Sequence, residues 1–167
     1  IQREIHEETK KAYGQVAFER WLRPRHMGVM DHPDGYGHVA GSCGDRMEIF
    51  LRFEQDKVKE ANFRTDGCGS SVVCGSYAAE LALGKTPDEV AEISGETILE
   101  TLGGLPEEDR HCAFLAADTL QAALDDYYSF MEEFPESQYS KEVSGILQKT
   151  NKYLSAGKPA SVENNNN

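Results

Sequence analysis

The stretch TDGCGSSVVCGS, residues 65–76, marks where the chain changes its period. Before it, residues alternate two by two. In RMEIFLRFE (46–54), Met47, Ile49, Leu51 and Phe53 fall on one face and Glu48, Phe50, Arg52 and Glu54 on the other. KVKEANFRT (57–65) alternates more weakly, Val58, Glu60, Asn62 and Arg64 against Lys59, Ala61, Phe63 and Thr65. Alternation of this kind predicts strands with one buried face, and Gln55-Asp56 joins them as a hairpin without the favoured glycine. After Cys68 the spacing turns helical, through SSVVCGSYAAELALG (70–84), with Gly84 as a stop.

Working outward, residues 29–41 read as a polar loop with a short strand around Tyr36–Ala40. Residues 4–22 carry Ile5, Tyr13, Val16, Phe18 and Trp21 at helical spacing, and Pro24 ends that helix. On the other side, TPDEVAEIS (86–94) has Thr86, Pro87 and Glu89 placed for a capping box. SGETILETLGG (94–104) is a short helix closed by glycines. Residues 111–134 form a strong helix with Leu115, Leu120, Ala123, Leu124, Tyr127 and Tyr128 as its stripe, stopped by Pro135. Residues 137–155 predict a further helix, and 158–167 a disordered tail. Strands come early and helices late, which predicts an α+β fold with a small antiparallel sheet packed against several helices.

The chain has 167 residues, suited to one domain with an appendage, and a net charge of −12. An acidic surface repels phosphate backbones, so nucleic acid is not an expected partner. No apolar run approaches the roughly 20 residues that cross a bilayer, so neither is a membrane. The charged, helical N-terminus IQREIHEETKKAYG is unlike a signal peptide. A cytoplasmic protein is expected, and a reducing cytoplasm turns four cysteines toward metal or redox chemistry.

Three of those cysteines sit at element boundaries: Cys43 in GSCGD, Cys68 in DGCGS and Cys112 in RHCAF. Cys68 and Cys112 fall at predicted helix N-termini, where the helix dipole favours a thiolate. Asp45 stands two residues after Cys43, and His111 directly before Cys112. Brought together, three sulfurs, a carboxylate and an imidazole suit zinc or a small iron–sulfur cluster. The carboxylate is the harder ligand and would hold a cluster less tightly than a fourth thiolate. Plainer readings stand beside these. Cys74, inside a helix, reads as a small core residue. His111 can serve as a helix cap or surface histidine, Asp45 as a turn residue, and His26, His32 and His38 as a solvated loop. A thiol enzyme is not expected, because the adjacent His111 and Cys112 should point apart on a helix.

The ordered motifs RPRHMG (23–28), SCGD, DGCGSS, LALGKTPDEV and HCAFLAADTLQAAL resemble the NifU/IscU type of iron–sulfur cluster assembly scaffold, from about Arg23 to Tyr128. The resemblance implies a three-stranded antiparallel sheet packed with helices, in a scaffold domain over residues 1–134. Residues 135–157 would be a helical extension. Cys43, Cys68 and Cys112 match the family's cluster ligands, Asp45 its lability-conferring aspartate, and His111 an occasional ligand. What this implies is a carrier without turnover of its own. It would take persulfide sulfur from a cysteine desulfurase, most readily on Cys112, and electrons from a donor such as ferredoxin. With iron it would assemble a transient [2Fe–2S] cluster and pass it to apo iron–sulfur proteins.

Two features depart from the family. LPEEDRHC (105–112) carries Glu107, Glu108 and Asp109 where housekeeping members have Pro-Val-Lys, which argues against a dedicated Hsp70 chaperone as partner. Cys74 stands where serine is usual. The alternative function on the same fold is a zinc-binding sulfur acceptor that stimulates a desulfurase. Such relatives carry an insertion between the second and third cysteines, for which the 43 residues between Cys68 and Cys112 leave little room. A purely structural zinc protein would need four firm ligands in a closed site.

Overall fold

The computed structural model of the chain describes residues 2–134. The chain divides into two compact units, Ile1–Tyr128 and Ser129–Asn167, and the sheet, core and site all belong to the first. The expected extension over 135–157 and the tail over 158–167 lie outside the described residues.

Helix α1 (Gln2–Leu22) leads into strands β1 (Gly35–Ala40), β2 (Arg46–Glu54) and β3 (Lys57–Thr65). Helices α2 (Gly69–Ala82), α3 (Pro87–Ala91) and α4 (Gly95–Leu102) follow, then a short 3₁₀ turn (Glu107–Asp109) and helix α5 (His111–Glu133). The expected α+β fold with its three-stranded antiparallel sheet is present, in the order β1-β2-β3.

The strong alternation of β2 lies where it was expected: Met47, Ile49 and Leu51 are fully buried. β3 reads weakly because its ladder with β2 slips at Arg52/Phe53. Val58 thereby joins the buried face of Ala61 and Phe63, out of phase with simple alternation. Gln55 and Asp56 both take positive φ, 52° and 59°, so the hairpin turn is made without glycine.

Helices cover one face of this sheet. A side chain on Gly37 would run into the backbone of α5 at Ala123, and one on Gly75 of α2 would run into Phe63 of β3. Small residues at these two crossings let α5 and α2 sit close enough to bury Phe63, Ile98, Leu120 and Leu124 completely. Each such side chain contributes about 1.5–3 kcal/mol. The outer edge of β3 is capped where Met27 bridges Phe63, with Gly28 N–H donating to Phe63 C=O at 2.8 Å. This covers an otherwise open strand edge and makes the RPRHMG segment part of the fold rather than a free linker.

Two expectations are corrected. The first helix is broken at Gly14 (φ 79°, ψ 164°), a conformation for glycine, while apolar spacing continues on both sides. Tyr128 is 39% exposed and lies off the buried stripe of α5, which ends at Tyr127. The capping box at Thr86 and Glu89 forms as read, and Cys74 is buried in the core.

Candidate functional site

Three loop ends meet where β3 passes into α2. Cys68 is the N-cap residue of α2, with extended backbone (φ −69°, ψ 177°) and a side chain that makes no capping bond. Its sulfur is therefore left to face the site. Cys112 is the second residue of α5, fully buried. Cys43 and Asp45 occupy the turn between β1 and β2, closed by Gly44 N–H to Gly41 C=O at 3.0 Å and Gly41 N–H to Asp45 C=O at 2.8 Å.

Asp45, Cys68 and Cys112 bring one ligand atom each within 4.8 Å of one another. The two sulfurs are 3.9 Å apart. Cys68 N–H, the first free amide of α2, donates to Asp45 Oδ2 at 3.2 Å. Gly67 leaves the space for that carboxylate. A β-carbon there would sit 2.6 Å from Asp45 Cγ and 2.8 Å from Ser71 Cβ. Cys43 Sγ is exposed and lies outside this close group, on the same turn as Asp45.

Ser71, one turn into α2 and fully buried, donates to Asp45 Oδ2 at 2.6 Å and stands 3.4 Å from Cys112 Sγ. Its hydroxyl holds the Asp45 carboxyl below its usual range, helped by the Cys68 amide and opposed by burial. Cys112 goes the other way. Burial pushes its thiol up to about 12, while the Ser71 hydrogen bond opposes the rise. Cys112 thus departs from the thiolate expected at this helix N-terminus, because burial of its sulfur disfavours the charged form. His111 and Cys112 do not point apart. His111 Nε2 lies 3.6 Å from Cys112 Sγ, because His111 opens the helix and has no preceding turn to direct it.

A second network borders the first. Asp109 Oδ2 accepts from Tyr13 O–H at 2.6 Å and from Ser70 O–H at 3.0 Å, tying α1 to the first turn of α2. The indole of Trp21 lies against Gly69, where a β-carbon would be 2.8 Å from Nε1. Among the described residues, His26, His32 and His38 join no such cluster.

Cys43, Cys68 and Asp45 were readable from their glycine-flanked boundaries, and Cys112 from its place at a helix start. Ser71 and Ser70 were not singled out, Tyr13 was read only as part of a helical stripe, and Asp109 only as part of a charged turn. A serine in the first turn of a helix is ordinary, and only the tertiary meeting of α2, α5 and the β1–β2 turn makes Ser71 central. The one signal available was the paired serine after DGCG at a strand-to-helix junction.

The fold and site define a small α+β protein that presents sulfur and oxygen donors from separate loops at one end of its sheet. Residues 12–133 match the family model described as NifU-like N terminal domain, and the chain belongs to that family. It is 37% identical over 117 residues to the iron–sulfur cluster assembly scaffold protein IscU 1 of Archaeoglobus fulgidus, covering 70% of this chain and 76% of that protein. It is 33% identical over 118 residues to the IscU scaffold protein of Aquifex aeolicus, covering 69% and 75%. Among solved structures, the N-terminal NifU-like protein of Brucella abortus shares the fold with a TM-score of 0.56 at 18% identity, covering 72% of this chain and 97% of that one.

Proposed function

We propose that this chain is a scaffold on which an iron–sulfur cluster is assembled and from which it is handed on. One observation carries the reading: two cysteine sulfurs 3.9 Å apart, joined by a carboxylate, from three separate loops. Family membership supports it, through relatives named as cluster assembly scaffolds. In this reading Cys68, Cys112 and Asp45 receive the cluster, a [2Fe–2S] unit. Cys43 joins from its neighbouring exposed turn, and His111 is the fifth donor beside Cys112.

Sulfur arrives as persulfide from a cysteine desulfurase. The Cys112 thiolate attacks the outer sulfur of the donor's persulfide. One sulfur–sulfur bond forms, one breaks, and the donor leaves as a thiolate. Two electrons from a ferredoxin-like donor then reduce each persulfide to sulfide, which iron captures. The thiol must first lose its proton, which burial opposes and an approaching metal ion favours. Asp45 supplies the weak oxygen contact that lets the cluster leave for an apo-protein. No other turnover is assigned to the chain, which acts as a carrier over residues 1–134. Free thiols require a reducing compartment such as the cytoplasm. No helix among the described residues is long and apolar enough to cross a membrane.

The test is anaerobic reconstitution with ferrous iron, cysteine and a desulfurase, followed by visible absorption. Sulfide-to-iron charge-transfer bands are expected in the wild type and absent in Cys43→Ala and Cys68→Ala. A colourless protein that keeps tightly bound zinc and accelerates the desulfurase overturns the scaffold reading in favour of a zinc-binding sulfur acceptor.

A further inference from the structure

Among the described residues, Ser71 is the one fully buried hydroxyl that reaches Asp45, Cys68 and Cys112 together. Its Oγ lies 2.6 Å from Asp45 Oδ2, 3.4 Å from Cys112 Sγ and 3.8 Å from Cys68 Sγ. These partners come from the β1–β2 turn, α5 and the N-cap of α2. It bonds to site atoms rather than to the backbone of its own helix, as a serine with a purely helical role would.

A hydroxyl carries one hydrogen and can donate to one strong acceptor at a time. A distance of 2.6 Å is that of a charge-assisted bond to a carboxylate, so without metal Asp45 takes the hydrogen. Metal binding changes the ranking. A carboxylate oxygen bound to a cation gives up a lone pair and much of its charge. The Cys112 sulfur, bound as a thiolate, becomes the richer acceptor. A buried hydroxyl needs a partner in both states. Rotation about the Cβ–Oγ bond supplies the second one without moving α2.

We propose that Ser71 is a positioning residue for loading. Its hydroxyl holds Asp45 in register with the two sulfurs before metal arrives and transfers its hydrogen bond to Cys112 once the carboxylate is engaged. This rests on the scaffold reading of the same site and adds to it a residue that touches neither iron nor sulfide. Groups that hold metal ligands in place change affinity by about 10–100-fold when removed. A hydrogen bond to a ligating sulfur also raises the reduction potential of the cluster it holds.

The experiment uses Co²⁺ as the probe, titrated anaerobically into the whole chain and read by sulfur-to-cobalt charge-transfer absorption. Ser71→Ala is expected to weaken binding about tenfold or more. Ser71→Thr restores it, and Ser70→Ala, whose hydroxyl serves Asp109 instead, leaves it unchanged. In an Asp45→Ala background, Ser71→Ala causes little further loss. In the cluster-loaded protein, Ser71→Ala shifts the iron–cysteinyl sulfur stretch in resonance Raman spectra and lowers the potential, which a packing defect would not do. Ser71→Gly removes the same hydroxyl should the alanine variant not fold. Wild-type affinity together with an unmoved stretch in the hydroxyl-free variants overturns the proposal. A wild type that gives no sulfur-to-cobalt band fails at the earlier step, sinking the metal-site reading and this inference with it.

Discussion

Gly67→Ala is the sharpest single perturbation of the site, because it adds one carbon and replaces no proposed ligand. That carbon would stand 2.6 Å from Asp45 Cγ, with the carboxylate oxygen Oδ2 closer still, and 2.8 Å from Ser71 Cβ. Ordinary contact needs about 3.5 Å or more. The carboxylate must therefore retreat by roughly 1 Å. A shift of that size stretches both bonds that Oδ2 accepts, from Ser71 at 2.6 Å and from Cys68 N–H at 3.2 Å. Bonds to a charged acceptor are worth about 1.5–3 kcal/mol each. The Cys68 amide lies at an exposed residue and can turn to water, and Ser71 can turn to Cys112. A net loss of about 2 kcal/mol is expected on that reasoning. For a chain of this size that lowers the melting temperature by roughly 4–8 °C. Co²⁺ affinity is expected to fall at least about tenfold as the oxygen ligand leaves its register. Urea unfolding with an unchanged slope measures the first effect and charge-transfer titration the second. A variant as stable as the wild type, with wild-type affinity, would refute the claim that Gly67 makes room for a held carboxylate.

Asp45→Ala should give a reconstituted cluster that lasts longer against chelators, while an emptied site would show that the carboxylate holds the cluster rather than loosens it. The folded pKa of Asp45 lies below its usual 3.8, so its stabilising effect is complete above that value and is lost as pH falls through the lower, folded one. Acid unfolding of Ser71→Ala should accordingly show a shallower dependence in the window below about pH 4, and an unchanged slope would contradict the assignment. Tyr13 titrates above its usual 10.0, chiefly through its bond to Asp109, so its contribution is full below pH 10 and lost as pH rises through the higher, folded value. Tyr13→Phe should flatten the alkaline limb of a stability profile. Glu107, Glu108 and Asp109 should leave this protein unable to stimulate a cluster-dedicated Hsp70 ATPase, and clear stimulation would refute that reading of the charged turn.

Sequence reading reached those parts of the molecule in which local pattern and tertiary burial agree. Met47, Ile49 and Leu51 alternate because one face of β2 packs into the core, so the strand announces itself, although Phe50 on the other face is buried as well. β3 announces itself poorly, since a bulge moves Val58 onto the face of Ala61 and Phe63. The break at Gly14 was hidden because helical spacing resumes after it. At the site, glycines flanking Cys43 and Cys68 signalled loop ends able to approach a ligand. Burial is not local, however. Cys112 looked like an activated thiol at a helix start, and the core around it raises its pKa instead. The buried Ser71 likewise looked like any first-turn serine until three segments closed around it.

The central claim is that Cys68, Cys112 and Asp45 act together on one iron-containing cargo. Iron-edge X-ray absorption of the reconstituted protein tests it most directly. Expected are cysteinyl and sulfide sulfurs around iron together with an oxygen scatterer that disappears in Asp45→Ala, and loss of cysteinyl sulfur in Cys68→Ala and Cys112→Ala. An all-sulfur shell that Asp45→Ala leaves untouched, or a shell indifferent to Cys112, would contradict it.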